Sequence, residues 1–589
     1  MSKTKVYVIV IILLLTMFIL SVASVRNDAV TNDEAAHIPA GYSYLKTGDY
    51  RLNPEHPPLI KDLSAIPLLF INIKAPFDHP SWQKADQWEF GHQFLYKYGN
   101  NIDAIALASR IPVILLMLLL GFYIFKWASE LYGDKAGLFA LFLYVLAPNV
   151  LAHGRLVTTD LGISAMFIIA LYYFWRFIKN PSWKFLIIAG ITFGLAQLTK
   201  FNGLLIIPVM IIFTFLAVFI GQKEIKLSVP LKRLFKKRKL LQKAYVLFFA
   251  LILIFIIGYG LVWLVYIVQT ANMPVAIQHQ IINSGLDNGA TKNVLNRLAD
   301  IPVVRAFDHY LLGISMAGSH TVGGHTIFFL GQIGNGWWYY FPVIFVLKTS
   351  ILILGLILTG LVFACYKFIS SWRGSGFAFS LEKYFTELMF FASIFIFFAA
   401  GMRGKLDLGV RYLLPVYAFI FILLGGFYSI IMLKLKGLDN KTSRRGTYLG
   451  FLLTGIIIVW YAISAFYIYP SYLAYYNEAI GPANGYKYAT DSNLDWGQDL
   501  KRLKIYMDDH NISEINLIYF GHAEPSYYNI NYHNYWADDK NIKGYTAISA
   551  TALLQTRDKN GGFSFQWLKD KQPIDKIGYS IFIYNLNGN

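Results

Sequence analysis

The chain opens with MSKTKVYVIVIILLLTMFILSVASV at residues 1–25 and continues at 31–63 with TNDEAAHIPAGYSYLKTGDYRLNPEHPPLIKDL. The first stretch holds an apolar run of about 20 residues, the length that crosses a bilayer. The second is charged and carries several prolines and tyrosines. Lys3 and Lys5 precede the apolar run, and its length argues for a retained anchor rather than a removed signal peptide. An anchor that delivers such a segment to the far side of a membrane predicts an organised external loop.

Further apolar stretches follow. Eleven are long enough to read as spans: 5–25, 104–125, 136–152, 157–177, 183–199, 202–220, 244–268, 340–366, 384–401, 412–433 and 447–469. Of 589 residues, 56% are hydrophobic and 15% charged, against about 25% charged in a soluble domain. That balance excludes a soluble enzyme, a disordered chain and a fibre. The single cysteine, Cys365, excludes intramolecular disulfides and cysteine-based metal sites. The predicted fold class is a polytopic α-helical membrane protein with about 11 transmembrane helices and a small extracytoplasmic α/β C-terminal domain. Residues 1–470 form the transmembrane part, with external loops 26–103 and 269–339, and 471–589 form the tail domain. In that tail Gly497–Asp509 reads as helix, and Ile515–Phe520 and Ile577–Tyr584 as strands.

The net charge of +18 is explained by its placement. Arg176, Lys179 and Lys184 fill one short loop. KRLFKKRK at 232–239 fills a second. Lys434, Lys436, Lys441, Arg444 and Arg445 fill a third. With eleven spans and a cytoplasmic N-terminus, all three loops are cytoplasmic, as the positive-inside rule asks. The basic charge is therefore a topology signal and a surface for anionic membrane lipids, and no nucleic-acid partner is expected.

Chemistry is expected on the opposite face. Asp33, Glu34 and His37 share one side of a predicted helix, because positions 33 and 37 are four apart. Pro57 and Pro58 start a second short helix, which gathers Glu55 and His56 with the acidic pair. The alternative is that Asp33 and Glu34 only favour a helix N-terminus. In HGRLVTTDLGISAMF, 153–167, Asp160 opens an apolar run beside Arg155. A carboxylate there is costly unless paired or used, although it also suits a helix start. Arg110, Lys200 and Arg411 sit at external membrane boundaries, where a sunken cation needs an anion, either one of these carboxylates or a lipid phosphate. His320, His325, Trp337 and Trp338 cluster in GSHTVGGHTIFFLGQIGNGWWYYFPVIFVLKTS, 318–350. The tryptophans read as an interfacial belt or as faces for a sugar ring, and the histidine spacing matches no standard metal motif.

In order, these are the acidic pair Asp33–Glu34, EHPP at 55–58, RLVTTD at 155–160, LTK at 198–200 and WWYYFPV at 337–343. The series resembles polyprenyl-phosphate-sugar-dependent glycosyltransferases of the protein O-mannosyltransferase and aminoarabinose transferase family, within the GT-C superfamily. The likeness spans roughly residues 5–470. YYNEAIGP at 475–482 and DSNLDWGQDLKRLK at 491–504 look like the tail of a prokaryotic branch. The resemblance implies transfer of a sugar, a mannose-like hexose or a relative, from a polyprenyl-phosphate donor to an extracytoplasmic acceptor that is protein, lipid or glycan. It implies Asp33 as catalytic base, with Glu34, Glu55 and Asp160 as further acidic groups. It implies Arg110 and Lys200 as carrier-phosphate contacts, with Arg411 a third. His37, His56, Arg155, His320, His325, Trp337 and Trp338 complete the candidate substrate contacts. The chain departs from the aminoarabinose branch at His56, where that branch has lysine, and at Ala36, where it has arginine. Neither the sugar nor the acceptor carries over.

The phosphate leaving group is a weak base and needs no general acid, so the expected scheme uses a base, two or three cations and inversion at C1. It requires no cofactor. A divalent metal is permitted by Asp160, Glu55 and His56. The setting implied is a prokaryotic cell membrane with the active face outside. A transporter or flippase of lipid-linked sugars is the alternative; it predicts charges at mid-membrane, whereas these lie at the external boundary.

Overall fold

The computed structural model describes residues 1–589 except 221–226, 228, 231, 233–236, 438–443, 536–541, 558–562, 569–570 and 587–589. Much of the KRLFKKRK run and Lys441 thus lie outside the described residues. Nine helices among the described residues are long and apolar enough to cross a membrane, from Lys3–Val25 to Arg445–Tyr467. They make an integral membrane protein. The remaining two expected spans are shorter. Trp183–Gln197 is apolar over 15 residues. The stretch at 136–152 is divided into Asp134–Val145 and Pro148–His153, because Pro148 cannot continue a helix but suits the first position of a new one.

The expected span at 340–366 is divided as well, into Tyr340–Lys348 and Ile351–Ser375. The tail explains how the break is held. Asn477 donates from its side chain to Val346 O at 2.7 Å and from its backbone to Leu347 O at 2.9 Å. Glu478 accepts from Ile351 N and Ser350 Oγ at 2.9 and 2.8 Å, satisfying the start of the second helix. The NE of YYNEAIGP is therefore a clamp on a broken membrane helix.

The loop at 26–103 contains the two expected helices, Glu34–Thr47 and Leu59–Ala65, and further short ones at Pro80–Gln83 and Gln87–His92. Pro39 removes the N–H that would bond Ala35 O, and Gly91 packs its bare Cα against that oxygen; a Cβ there would stand 2.1 Å from it. Gly41 likewise lets the two helices meet, since a Cβ would stand 2.2 Å from Lys61 O. Lys61 is fully buried. It donates to Tyr44 OH, Asn53 O and His56 O at 2.9, 2.8 and 2.7 Å, and so fixes the turn that carries Glu55 and His56. Burial lowers this amine to about 7, against the pull of Glu55 and Asp62.

In the tail the helix is Leu500–Asp509. The sheet has strands β1 (Ile515–Ile518), β2 (Tyr532–Asn534), β3 (Tyr545–Ser549), β4 (Asp575–Ile577) and β5 (Ile581–Asn585), in the order β2-β1-β3-β5-β4. β1 runs parallel to β2 and β3, and β5 antiparallel to β3 and β4. The expected strand at 577–584 is thus two strands joined by a turn, with Gly578 and Tyr579 both at positive φ.

An ionic network ties this tail to the membrane part. Buried Asp28 pairs with Arg155 at 3.1 Å and with Arg502 at 2.7 Å, and Arg502 also pairs with Asp499. Burial alone would raise the Asp28 carboxyl, but Arg155, Arg502 and Arg110 outweigh it and hold it below the usual range. Arg502→Ala is expected to weaken tail docking by about 1–3 kcal/mol, seen as faster hydrogen exchange in Leu500–Asp509. Unchanged exchange would show that the pair contributes nothing.

Candidate active site

Asp33, Glu55, Asp160, Lys200 and Arg411 line one cleft of about 410 Å³. Arg411 stands at its centre. Its Nη1 lies 2.6 Å from Asp33 Oδ2 and 3.5 Å from Asp160 Oδ2. Lys200 Nζ lies 2.5 Å from Asp160 Oδ1 and sits over the Tyr412 ring at 4.1 Å. Asp33 immediately precedes Glu34–Thr47 but its side chain makes no cap bond to that helix. Asp160 lies in the first turn of Thr159–Lys179, with its carboxylate on the two cations. Asp33 does stand at the helix start, but its carboxylate goes to Arg411 and not to the helix N–H groups. The Asp33 side chain is 23% exposed and that of Asp160 only 2%, so Asp33 is the carboxylate an incoming group reaches.

Glu55 is held by Asn53 Nδ2 and Gln87 Nε2, which donate to its Oε1 at 3.0 and 2.8 Å. His56 stands beside it, edge-on to His37 with centroids 5.2 Å apart. Burial, and then His37, Lys200, Lys61 and Arg411, push the His56 imidazole well below its ordinary range. It is a neutral hydrogen-bonding group, not a further cation. Burial lowers His37 as well, partly opposed by Asp33, and its Nδ1 lies 2.9 Å from Val157 O. His320 lines the cleft from helix Pro302–Gly323. The inner wall is apolar, with Leu204, Leu205, Phe341, Phe397 and Leu413.

Other expected site residues are elsewhere. Arg110 does not reach this cleft. Its Nε and Nη2 donate to Glu34 Oε1 and Oε2 at 2.8 and 2.6 Å, and Nη2 also donates to Ala29 O at 2.9 Å. Glu34 accepts in addition from Thr31 N and Val157 N at 2.9 and 3.0 Å. Both side chains are buried, so the pair is spent on itself, and neither group faces a substrate. Arg155 is taken by Asp28. Trp337 N donates to Asp407 Oδ2 at 3.1 Å and its ring packs on Phe329. Trp338 is 65% exposed, as an interfacial belt residue would be. His325 N donates to Lys405 O at 3.3 Å, and neither it nor these tryptophans line the cleft.

The tail motif finds its place here. Asn493 Oδ1 accepts from Val410 N at 3.1 Å, Asn493 Nδ2 donates to Tyr340 OH at 2.9 Å, and Ser492 Oγ bonds Leu408 O. The Trp496 ring lies 4.3 Å from the Arg411 guanidinium. DSNLDW thus braces Val410–Tyr412 and holds Arg411 in place. Sequence spacing gave no signal for this, because 80 or more residues separate the partners.

Among the described residues no three His, Cys, Asp or Glu side chains are grouped to hold a metal ion. Asp33 and Asp160 already face cations.

A family model described as dolichyl-phosphate-mannose-protein mannosyltransferase matches residues 90–263. That stretch contains Asp160 and Lys200, but not Asp33 or Arg411. No curated protein matches the chain by sequence. Two solved structures share its fold. The oligosaccharyltransferase of Archaeoglobus fulgidus, in the apo form, aligns with TM-score 0.50 and 14% identity over 97% of this chain and 73% of its own. The S. cerevisiae protein O-mannosyltransferase complex bound to the sugar donor aligns with TM-score 0.51 and 10% identity over 80% of this chain and 90% of its own. The chain shares its fold with these two structures, and its segment 90–263 is similar to the mannosyltransferase family model. The resemblance read from the sequence motifs is thus matched both by a family model and by the three-dimensional fold.

Proposed function

We propose that this protein transfers a sugar from a polyprenyl-phosphate donor to an acceptor on the extracytoplasmic side of a membrane, with inversion at C1. The observation that carries the reading is the amphiphilic cleft. Two cations and three carboxylates line it together with apolar side chains of membrane helices, among them Leu205, Phe397 and Leu413. A lipid-linked phosphosugar has that same division. The family model's mannosyltransferase description supports a lipid-phosphate donor.

In this scheme an acceptor hydroxyl attacks C1 from the face opposite the phosphate. The new C–O bond forms as the bond from C1 to the phosphate oxygen breaks. The electron pair leaves with the lipid phosphate, and the acceptor proton passes to Asp33. The phosphate gains one negative charge, which Arg411 and Lys200 offset in a site poor in water. Donor phosphate competes with Asp33 for Arg411, so donor arrival frees the base it needs. Glu55, held on one oxygen by Asn53 and Gln87, orients the sugar or acceptor hydroxyls with His56 and His320. No cofactor is needed.

The test is sugar release from a panel of labelled polyprenyl-phosphate sugars by the full chain in detergent or nanodiscs, with the product anomer assigned by NMR. One donor should turn over, and its product should have the opposite anomeric configuration. Lys200→Ala and Arg411→Ala should each lower kcat/KM by about 10²–10³-fold. Retention of configuration would sink the single displacement. Full activity in both variants would remove the phosphate role from these cations.

A further inference from the structure

A second cleft, of about 540 Å³, lies in the tail and has Asn32, the residue before Asp33, among its lining. It sits where the tail sheet reverses its winding. The connection from β1 leads to β2 on one side, and the next leads to β3 on the other. Crevices at the carboxyl ends of strands at such a switch point are where open α/β sheets bind ligands. Here the walls are the residues that follow β1, from Tyr519 to Ala523, and those that follow β3, from Thr551 to Thr556. The volume falls in the range of about 300–1,000 Å³ usual for small-molecule sites.

The lining defines what fits. None of the described residues that line it is Asp, Glu, Lys or Arg. Tyr519, Tyr535 and Phe565 offer rings, and Asn534, Gln555 and His522 offer amide and imidazole groups. Gln555 donates its Nε2 to Thr490 Oγ1 at 2.8 Å, and its carbonyl oxygen has no such partner. An anionic ligand would find no cation among the described lining residues, and a lipid chain would strand the amides. A pyranose matches both halves: its C–H faces pack on rings and its hydroxyls bond amides. Its His522 wall packs against the loop that also carries Asp33. His522 stacks flat on Trp88 of the first external loop, with centroids 4.6 Å apart and planes at 14°. The Asp33 charge acts on that same imidazole, which burial otherwise lowers.

We propose that this crevice is the acceptor subsite and that the acceptor is a neutral glycan, whose terminal sugar hydroxyl is presented from the tail to Asp33. The proposal rests on the transferase reading above. It assigns the tail sheet a substrate, whereas DSNLDW only braces Arg411.

The test separates the two. Binding of mannotetraose, cellotetraose, chitotetraose and maltotetraose to the full chain in nanodiscs is read by saturation-transfer NMR, without donor. At least one should bind. Gln555→Ala and Tyr535→Ala should weaken it about tenfold each, the loss expected for one hydrogen bond or ring contact, with thermal unfolding unchanged. With the donor found above, the same variants should raise the acceptor KM about tenfold and leave the donor KM and donor hydrolysis by water as in wild type. No tetrasaccharide binding, binding indifferent to both variants, or binding there of a neutral Ser/Thr peptide instead would overturn the crevice assignment while leaving donor turnover intact. Tetrasaccharide binding without any donor turnover would overturn the transferase reading and, with it, the acceptor role.

Discussion

Asp33→Asn is expected to lower kcat by about 10²–10⁴-fold, the range for loss of a general base, with little change in donor KM. The substitution keeps the shape of the side chain and an oxygen that can still accept from Arg411 across the present 2.6 Å contact. It removes the capacity to take the acceptor proton. Among the carboxylates of the cleft, Asp160 is sealed between Lys200 and Arg411, and Glu55 is held on one oxygen by Asn53 and Gln87. Asp33 has a single cation partner, and that cation is the one a phosphate would draw away. The measurement is steady-state sugar transfer with donor and acceptor varied separately. Wild-type turnover in the variant would make Asp33 only a holder for Arg411, and Asp160→Asn would be the next variant to measure.

Glu34→Ala is expected to cost about 3–5 kcal/mol of stability, because it leaves Arg110 buried and uncompensated. The yield of folded protein and the unfolding midpoint in detergent should fall together. Burial alone raises the Glu34 carboxyl, but Arg110 and the backbone donors Thr31 and Val157 outweigh it and hold it below 4.5. The sign follows from that direction. The pair's contribution is complete above pH 4.5 and is lost as pH falls below it toward the lowered folded value. The double variant Glu34→Gln with Arg110→Met removes both charges and should recover most of the stability. Its donor KM should stay near wild type. A donor KM raised tenfold or more in a folded double variant would restore Arg110 to the carrier phosphate and contradict the buried-pair reading.

The amino-acid sequence carried the membrane class, the first two helices of the loop after the first span, and Asp33, Glu55, Asp160 and Lys200 as candidates for one site. These were legible because bilayer thickness imposes long apolar runs, and because an ionisable residue at the edge of such a run is costly enough to need a reason. The YYNEAIGP and DSNLDWGQ segments were legible only as motifs. Their work, clamping a broken helix and bracing Arg411, depends on partners more than 70 residues away in sequence.

Sequence by itself determined which ionisable side chains sit at the edges of apolar runs. It did not determine which cation meets which anion. Arg110 and Arg411 look alike in sequence, each an arginine close to the edge of an apolar run. Tertiary structure sends one to Glu34 inside the protein and the other to Asp33 and Asp160 at the cleft. Burying a guanidinium demands an anion within about 3 Å and hydrogen bonds for the rest of its fork. Which anion supplies them is set by how the external loop and the tail pack over the helix ends, a matter of long-range geometry that no local spacing records.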